Sequence, residues 1–584
     1  MNSTINDDSM KKIIRQRQPQ ESTSPLTTSS VLNRIYSNRG IQDAAELDYN
    51  LSQLLPYHDL KGIDVAVELL VEAITEQRRI LIVGDFDADG ATSSALTKLV
   101  LTDFGAKYVE FLVPNRFEFG YGLSPELVEV AKELNPDLIV TVDNGISSIA
   151  GVKAAQEAGI KVLITDHHLA GDELPQADAI VNPNQPGDTF PSKNMAGVGV
   201  VFYVLLALRA RLRDINWFTT QAIEEPNLAH NLDIVALGTV ADVVPLDSNN
   251  RLLVHHGLRL IRAGRCRPGI SALLQLAKRQ LHKVTATDLG FAVGPRLNAA
   301  GRLDDMSIGI ECLLADDSKT AKELADTLHS LNSDRQQVEQ EMQDEALSKL
   351  EEVDWHAGEF AHSVCLYEPH WHQGVVGLLA SRIKEKVNKP CIVFANADET
   401  SIKGSARSVK EVHIRDALAL VDSRHPQLIE KFGGHAMAAG LSLALDKLEQ
   451  FQQAFEKAVT DVLGGRAIED VIETDGELMP QELTIETAVE LTQAGPFGQG
   501  FPEPAFDGEF EVLNHRIVGE NHLKLTLQKY GQQDPIQAIA FRIDVEDWLS
   551  QPAQKIRAVY KPDINDYYNV PELQLMIQYF ERLA

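Results

Sequence analysis

Seven side chains in this sequence could do chemistry together. They are Asp85, Asp87 and Asp89 of Asp85-Phe86-Asp87-Ala88-Asp89-Gly90, Asp143 of Asp143-Asn144-Gly145, His167 and His168 behind Asp166, and Asp242. Carboxylate oxygens are hard donors that suit Mg²⁺ or Mn²⁺, and imidazole in the same set shifts the preference towards Mn²⁺ or another transition ion. In an extended segment Asp85, Asp87 and Asp89 would point the same way, and three like charges on one face are unfavourable without a cation among them. A polar turn is the simpler reading of that segment alone, since Asp and Gly both favour turns. A calcium-type loop is excluded, because the twelfth position from Asp85 is Leu96, where a Glu is required. Asp143-Asn144-Gly145 is by itself ordinary turn chemistry. The adjacent histidines are harder to place in a core: one serves as a ligand, its other N–H held by a carboxylate or carbonyl, and the next faces a substrate phosphate. Asp242 lies in the apolar stretch 232–245, where a buried carboxylate needs an Arg, a backbone cap or a metal ion, and the other acids favour metal.

The elements that must position these groups are buried strands. Segments 79–84, 138–142 and 162–165 are apolar runs without alternation, which suit strands covered on both faces of a parallel sheet. They run straight into Asp85, Asp143 and Asp166, and ligands of such sheets gather beyond the strands' carboxyl ends. Between them lie amphipathic stretches such as 63–70, the βαβ rhythm of a doubly wound sheet. The expected fold is α/β and multidomain. A polar, mobile tail and lead-in (1–45) precedes a doubly wound parallel-sheet domain (46–312). A long connecting helix follows (313–353), broken or continuous at Asn332, then a smaller α/β domain (354–465) with strands at 363–366 and 391–394. Alternating segments such as 522–527, with turns at Tyr530-Gly531 and Asp534-Pro535, predict a small antiparallel β barrel over 466–584.

At 584 residues the chain is too long for one core. It has neither an apolar run of about 18 residues nor a basic-then-apolar amino terminus, so a cytoplasmic protein without a membrane span is expected. Cys266, Cys312, Cys365 and Cys391 lack Cys-x-x-Cys spacing, which argues against a zinc knuckle or a disulfide framework. A net charge of −30 opposes a polyanionic partner, but the charge is uneven: eight basic against three acidic residues from Ile261 to Ile310 (+5), nine against twenty-one from Arg466 onward (−12). Phosphate binding needs only local positive potential. Candidates for it are Arg296 and Arg302, Arg407 and Ser408 after Lys403-Gly404-Ser405, Gly433-Gly434-His435, and His372-Gln373-Gly374 at a helix start, because glycine lets N–H groups approach and Arg offers a fork. In the barrel, Phe510, Phe541, Tyr560, Tyr567, Tyr568 and Tyr579 are available to stack bases, although several of these rings must be core.

The segments Asp85–Gly90, Asp143-Asn144-Gly145, Asp166-His167-His168 and Gly238-Thr239-Val240-Ala241-Asp242 resemble, in order and separation, the motifs of the DHH phosphoesterase superfamily. Gly433-Gly434-His435 resembles the glycine-rich signature of its companion DHHA1 domain. Gly294-Pro295-Arg296-Leu297-Asn298-Ala299-Ala300-Gly301-Arg302 and the C-terminal barrel make the chain, over about residues 45 to 584, most similar to the RecJ family of single-strand-specific bacterial exonucleases. The resemblance implies a catalytic set of Asp85, Asp87, Asp89, Asp143, His167, His168 and Asp242. Two divalent cations, Mn²⁺ or Mg²⁺, are implied: one on Asp87 and Asp143, the other on Asp89, Asp143, His167 and Asp242, with Asp143 bridging. Two such ions about 4 Å apart activate water and stabilise the leaving oxygen of an in-line displacement. His168 would contact the scissile phosphate, and Arg296, Asn298, Arg302, His372, Gln373, Arg407, Ser408, Gly433, Gly434 and His435 would grip the substrate. One departure is informative: the superfamily's pyrophosphatases carry a ligand His at the position of Val83, so that here Asp85 supports the metal instead. The implied activity is 5′ to 3′ hydrolysis of single-stranded DNA to 5′-phosphorylated nucleotides in recombination and repair. It would be carried out by a monomer with an OB-fold-like barrel, alongside single-strand-binding protein and a helicase. Two alternatives stay open: a phosphodiesterase or phosphatase acting on short oligonucleotides, cyclic dinucleotides or pyrophosphate, and a non-catalytic replication or repair scaffold. The added barrel weighs against the first and the intact acid set against the second.

Overall fold

The structure, a computed structural model, describes residues 12–20, 25–115, 119–352, 361–565 and 571–583. The chain forms two compact units, one of Ile14–His329 together with Glu473–Ala584, the other centred on Ser330–Ile472. The expected barrel domain therefore belongs to the same unit as the first sheet. The stretch to about residue 30, expected as a mobile tail, holds a strand, β1 (Ile13–Gln16), and the lead-in after it a helix, Ser30–Ser37, started by the Ser29 side chain and buried through Val31, Ile35 and Tyr36. Polar composition hid that helical spacing of apolar residues.

The first sheet has five parallel strands, β2 (Ile80–Gly84), β3 (Val109–Leu112), β4 (Leu138–Val142), β5 (Lys161–Thr165) and β6 (Ala179–Val181), in the order β3-β2-β4-β5-β6. Every residue of β2 and β4 is buried, as non-alternating apolar runs require. Leu81, Ile139, Val162 and Ile164 pack under Leu127, Val128 and Val152, each contributing about 1.5–3 kcal/mol on burial. Gly84 pairs with Val142 and Val142 with Thr165, so Asp85, Asp143 and Asp166 leave adjacent strands side by side.

The helix Ser318–Glu352 runs unbroken through Asn332. Within the second unit the buried Asn332 accepts a hydrogen bond from Arg335 Nη2 at 3.0 Å, and Arg335 pairs with Glu339, so the polar residue is satisfied without a kink. That unit's sheet has the order β10-β11-β9-β8-β7, from β7 (Val364–Tyr367), β8 (Cys391–Asn396), β9 (Ser401–Arg407), β10 (Lys431–Gly434) and β11 (Ala438–Ala444), with only β7–β8 parallel.

After β12 (Val471–Thr474), which pairs with β1, the chain closes a barrel of β13 (Phe506–Val518), β14 (His522–Gln528), β15 (Ile536–Ala540), β16 (Lys555–Asn565) and β17 (Glu572–Leu583). The barrel is not wholly antiparallel, because β15 and β17 run parallel. Phe510 and Tyr560 are core rings 5.4 Å apart, Phe541 is half exposed and Tyr579 partly buried, while Tyr567 and Tyr568 lie outside the described residues. The lead-in fastens this barrel to the first sheet's unit. Asp475, 1% exposed, accepts from Arg39 Nη1 and Nη2 at 2.9 and 3.1 Å and from Asn38 Nδ2 at 2.9 Å. Nearby, Arg251 lies 4.4 Å over the Phe501 ring and Leu246 N donates to Gln499 O at 2.7 Å.

Candidate active site

The carboxyl edge of the parallel sheet assembles the predicted acids, with one change of geometry. Asp85–Gly90 is not extended. Asp85 follows β2, Asp87 caps the helix Ala88–Asp103 by accepting from Asp89 N and Gly90 N at 2.9 and 3.0 Å, and Asp89 sits in its first turn. This turn divides the three acids between two clusters. Ligand atoms of Asp85, Asp87 and Asp143 fall within 4.8 Å of one another, as do those of Asp89, His167 and Asp242. Asp143 also groups with His167 and His168, its Oδ1 lying 3.1 Å from His167 Nε2, so it stands between the clusters. Asp242 enters from the C-terminus of the helix Leu232–Ala241, with Oδ2 3.5 Å from the same nitrogen.

These acids repel one another. Burial, then the charges of Asp242 and Asp87, push the Asp89 carboxyl well above the ordinary range, and burial, then Asp89 and Asp87, do the same to Asp143. Burial and Asp87 raise Asp242 to about 7. Two devices offset the strain. Asp89 accepts from Gly197 N and Val198 N at 2.6 and 3.0 Å, the N-terminus of the helix Gly197–Asp214, where the helix dipole favours an anion. Asp166 is fully buried, yet the His168 hydrogen bond and charge outweigh that burial and hold its carboxyl below the ordinary value. It accepts from His168 Nδ1 at 2.8 Å and from the backbone of Ile146, His167 and His168. Burial would lower His168, but Asp166 outweighs it and raises the imidazole to about 9, so it is a cation at neutral pH.

The donor set fits divalent cations. Asp143 Oδ1 and Asp242 Oδ2 are buried and accept no hydrogen bond among the described residues, and a positive ion beside them would reverse the repulsion that raises their pKa values. Five carboxylates and one imidazole are the ligand types of Mn²⁺ and Mg²⁺ sites.

Other predicted residues have more local roles. Asn298 accepts from Ala88 N at 2.8 Å and so holds the Asp85–Asp89 turn. Gly301 is required by close approach, because a Cβ there would lie 1.7 Å from Phe86 O. Arg296 donates to Ala292 O and to His329 Nδ1, and Arg302 lies partly buried on the same helix, Gly294–Leu303. In the second unit, Arg407 donates to Ser405 Oγ and Ala406 O at 3.1 and 2.8 Å and lies against Gly377 in the helix Val376–Val387. His372 Nδ1 accepts from Gly374 N at 3.1 Å and Gln373 donates to Asn396 O. Gly433 and Gly434 end β10 beside Gly440 and Ala439, Gly434 at φ +144°, and His435 N donates to Ala438 O across that hairpin. Ser408 is a correction: it is 1% exposed and its hydroxyl donates to Val412 O at 2.6 Å, locking a turn instead of meeting a ligand.

Sequence reading missed Tyr121. Its hydroxyl lies 3.1 Å from both Asp143 O and His168 Nδ1, and its ring meets His168 edge-on at 5.6 Å. The available signal was Gly120-Tyr121-Gly122, a tyrosine between two positive-φ glycines. The backbone contribution of Gly197 and Val198 had no side-chain signal.

Residues 79–239 match the DHH family N-terminal domain, 358–461 the DHHA1 domain and 474–579 the RecJ OB domain. The chain is 51% identical to the single-stranded-DNA-specific exonuclease RecJ of Dickeya dadantii, over 97% of this chain and 98% of that one. The exonuclease of the same name from Escherichia coli is also 51% identical, over 97% and 98%. Among solved structures, RecJ from Thermus thermophilus in complex with Mn²⁺ superposes with a TM-score of 0.81 at 27% identity, covering 98% of this chain and 80% of that one. With the acid clusters at the sheet edge and all three domains matched in order, the chain belongs to the RecJ family.

Proposed function

We propose that this chain is a single-strand-specific exonuclease that hydrolyses DNA from the 5′ end, releasing 5′-phosphorylated nucleotides in recombination and repair, with two divalent cations, Mn²⁺ or Mg²⁺. The observation that carries the reading is the convergence of Asp85, Asp87, Asp89, Asp143, His167 and Asp242 at one sheet edge with Asp143 between the two groups. The family supports it: the relatives' names give single-stranded DNA as their target, and a solved relative holds Mn²⁺.

Asp87 and Asp143 would hold one cation, with Asp85 beside them, and Asp89, Asp143, His167 and Asp242 the other. When bound, such a pair supplies an activated water and charge stabilisation for the leaving oxygen. The remaining chemistry belongs to the chain's own groups. The His168 imidazolium, fixed by Asp166, offers positive charge to the scissile phosphate, and its partners keep it protonated through neutral pH. Water oxygen joins phosphorus and the bond to the 3′ oxygen breaks, leaving a 3′-hydroxyl on the released nucleotide and a 5′-phosphate on the shortened strand. Arg407, at the end of β9 beside a helix start, Gly433-Gly434-His435 and Arg302 supply the class of groups that hold backbone phosphates. The chain would work in the cytoplasm as a monomer, on strands presented by a helicase and single-strand-binding protein.

Asp143 adopts φ +61°, a conformation that Asn tolerates, so Asp143→Asn removes the bridging charge with little backbone penalty. On labelled single-stranded DNA with Mn²⁺, this variant should lose at least roughly a thousandfold in rate while still binding DNA, in keeping with the size of metal and electrostatic contributions. EDTA should silence the wild type, and Mn²⁺ or Mg²⁺ should restore it. Full activity of Asp143→Asn, or activity confined to duplex DNA or pyrophosphate, would refute the reading.

A further inference from the structure

Phe291 is 83% exposed, although it belongs to a well-anchored element. It lies in the π-helical turn Leu289–Val293, whose Leu289, Ala292 and Val293 are buried, so the extra residue of the turn forces the phenyl ring outward. Such turns recur at functional sites. The turn is seated on the helix that ends at Asp242. A Cβ on Gly290 would lie 3.3 Å from Val240 Cγ1, and one on Gly294 would lie 3.2 Å from the Ala241 Cβ. Val243, next to Asp242, is also exposed, at 63%.

The sequence that carries this ring contrasts in charge with the whole chain. From Lys278 to Arg302 there are five basic residues (Lys278, Arg279, Lys283, Arg296, Arg302) against Asp288 alone, a balance of +4 in a chain of −30. Arg279 reaches Asp288 at 3.0 Å, and Arg296 is tied to Ala292 O, the carbonyl next to Phe291. An exposed aromatic face in a basic stretch of chain matches the chemistry of an unpaired strand, whose bases stack on rings while phosphates meet positive charge.

We infer that Phe291 is a stacking platform for an unpaired nucleobase of the DNA strand entering the Asp242 side of the site, with the surrounding Lys and Arg residues facing its phosphates. This rests on the nuclease reading and adds a residue-level reason for single-strand preference, since a paired base is already stacked on its neighbours and has no free face to offer.

The test measures binding of a single-stranded oligonucleotide carrying 2-aminopurine, in EDTA so that the strand is not consumed. Phe291→Ala should raise Kd roughly tenfold, the scale of one lost base stack, and abolish the quench of 2-aminopurine at one strand position. The dependence of Kd on salt should stay as in the wild type, because phosphate contacts remain. Phe291→Trp should restore both affinity and quench, and circular dichroism should confirm that each variant is folded. Wild-type affinity in Phe291→Ala, or no recovery in Phe291→Trp, would overturn the platform while leaving the nuclease reading untouched. A wild type that neither binds nor degrades single strands would instead sink the functional reading on which the platform depends.

Discussion

Asp143 combines a left-handed backbone, φ +61°, with burial among four other aspartates, a pairing of strain and charge typical of positions shaped by chemistry. Tyr121 shows how finely the neighbouring groups are set, since one hydroxyl touches both the Asp143 carbonyl and His168 Nδ1. Removing that hydroxyl in Tyr121→Phe leaves ring packing in place but frees the imidazole on one side. The expected result is a 10- to 100-fold fall in kcat, the usual effect of losing an orienting partner, with little change in Mn²⁺ dependence. Steady-state kinetics on a single-stranded substrate across Mn²⁺ concentrations would check it. At this scale the acids and histidines were legible in the sequence because their types are improbable after apolar strands. Tyr121 was not, because a tyrosine in a glycine loop looks like many others until its partners are known. Ser408 misled for the opposite reason: its phosphate-friendly neighbours gave no sign that its hydroxyl would be spent on Val412 O.

The Asp85–Asp89 turn depends on an element more than two hundred residues away in sequence. The helix Gly294–Leu303 supplies Asn298 to cap Ala88 N and presents Gly301 to the Phe86 carbonyl. Gly301→Ala would force that carbonyl to move, since its Cβ would lie 1.7 Å away. Displacements of about 1 Å in a catalytic group cost on the order of 100-fold in rate, so Gly301→Ala should lose at least that much activity while keeping its helical content. A nuclease assay paired with circular dichroism decides the point, and wild-type turnover would show that the turn tolerates the shift. The parallel strands were readable from non-alternating apolar runs, and the acid after each placed the site at their carboxyl edge. The turn itself stayed open between extended and turned, because alternation of aspartates reads equally as a strand or as a cap followed by a helical turn, and only the buried small residues of Ala88–Asp103 select the second.

For the whole molecule, the buried Arg39–Asp475 pair ties the lead-in to the barrel side of one unit. Burial alone would raise the Asp475 carboxyl, but Arg39, Asn38 and Arg17 outweigh it and hold it below the ordinary value. A depressed carboxylate stabilises the fold above its unfolded pKa of about 3.9, and that contribution is lost as pH falls through the lower folded value. Asp475→Asn leaves Arg39 buried beside a neutral partner. It should reduce unfolding stability by about 3–5 kcal/mol at pH 7, with the gap to wild type narrowing below about pH 4, as read by denaturant titration at several pH values. Composition concealed this pairing, since contacts between distant segments leave no local pattern. The unit is also discontinuous in time. Its first segment ends at His329, and Asp475 lies 146 residues further along the chain. At about 5–20 residues per second, a ribosome needs roughly 7–30 s to reach it. Throughout that interval Arg39 lacks its counter-charge, so the acid-bearing half is synthesised first and clamped later.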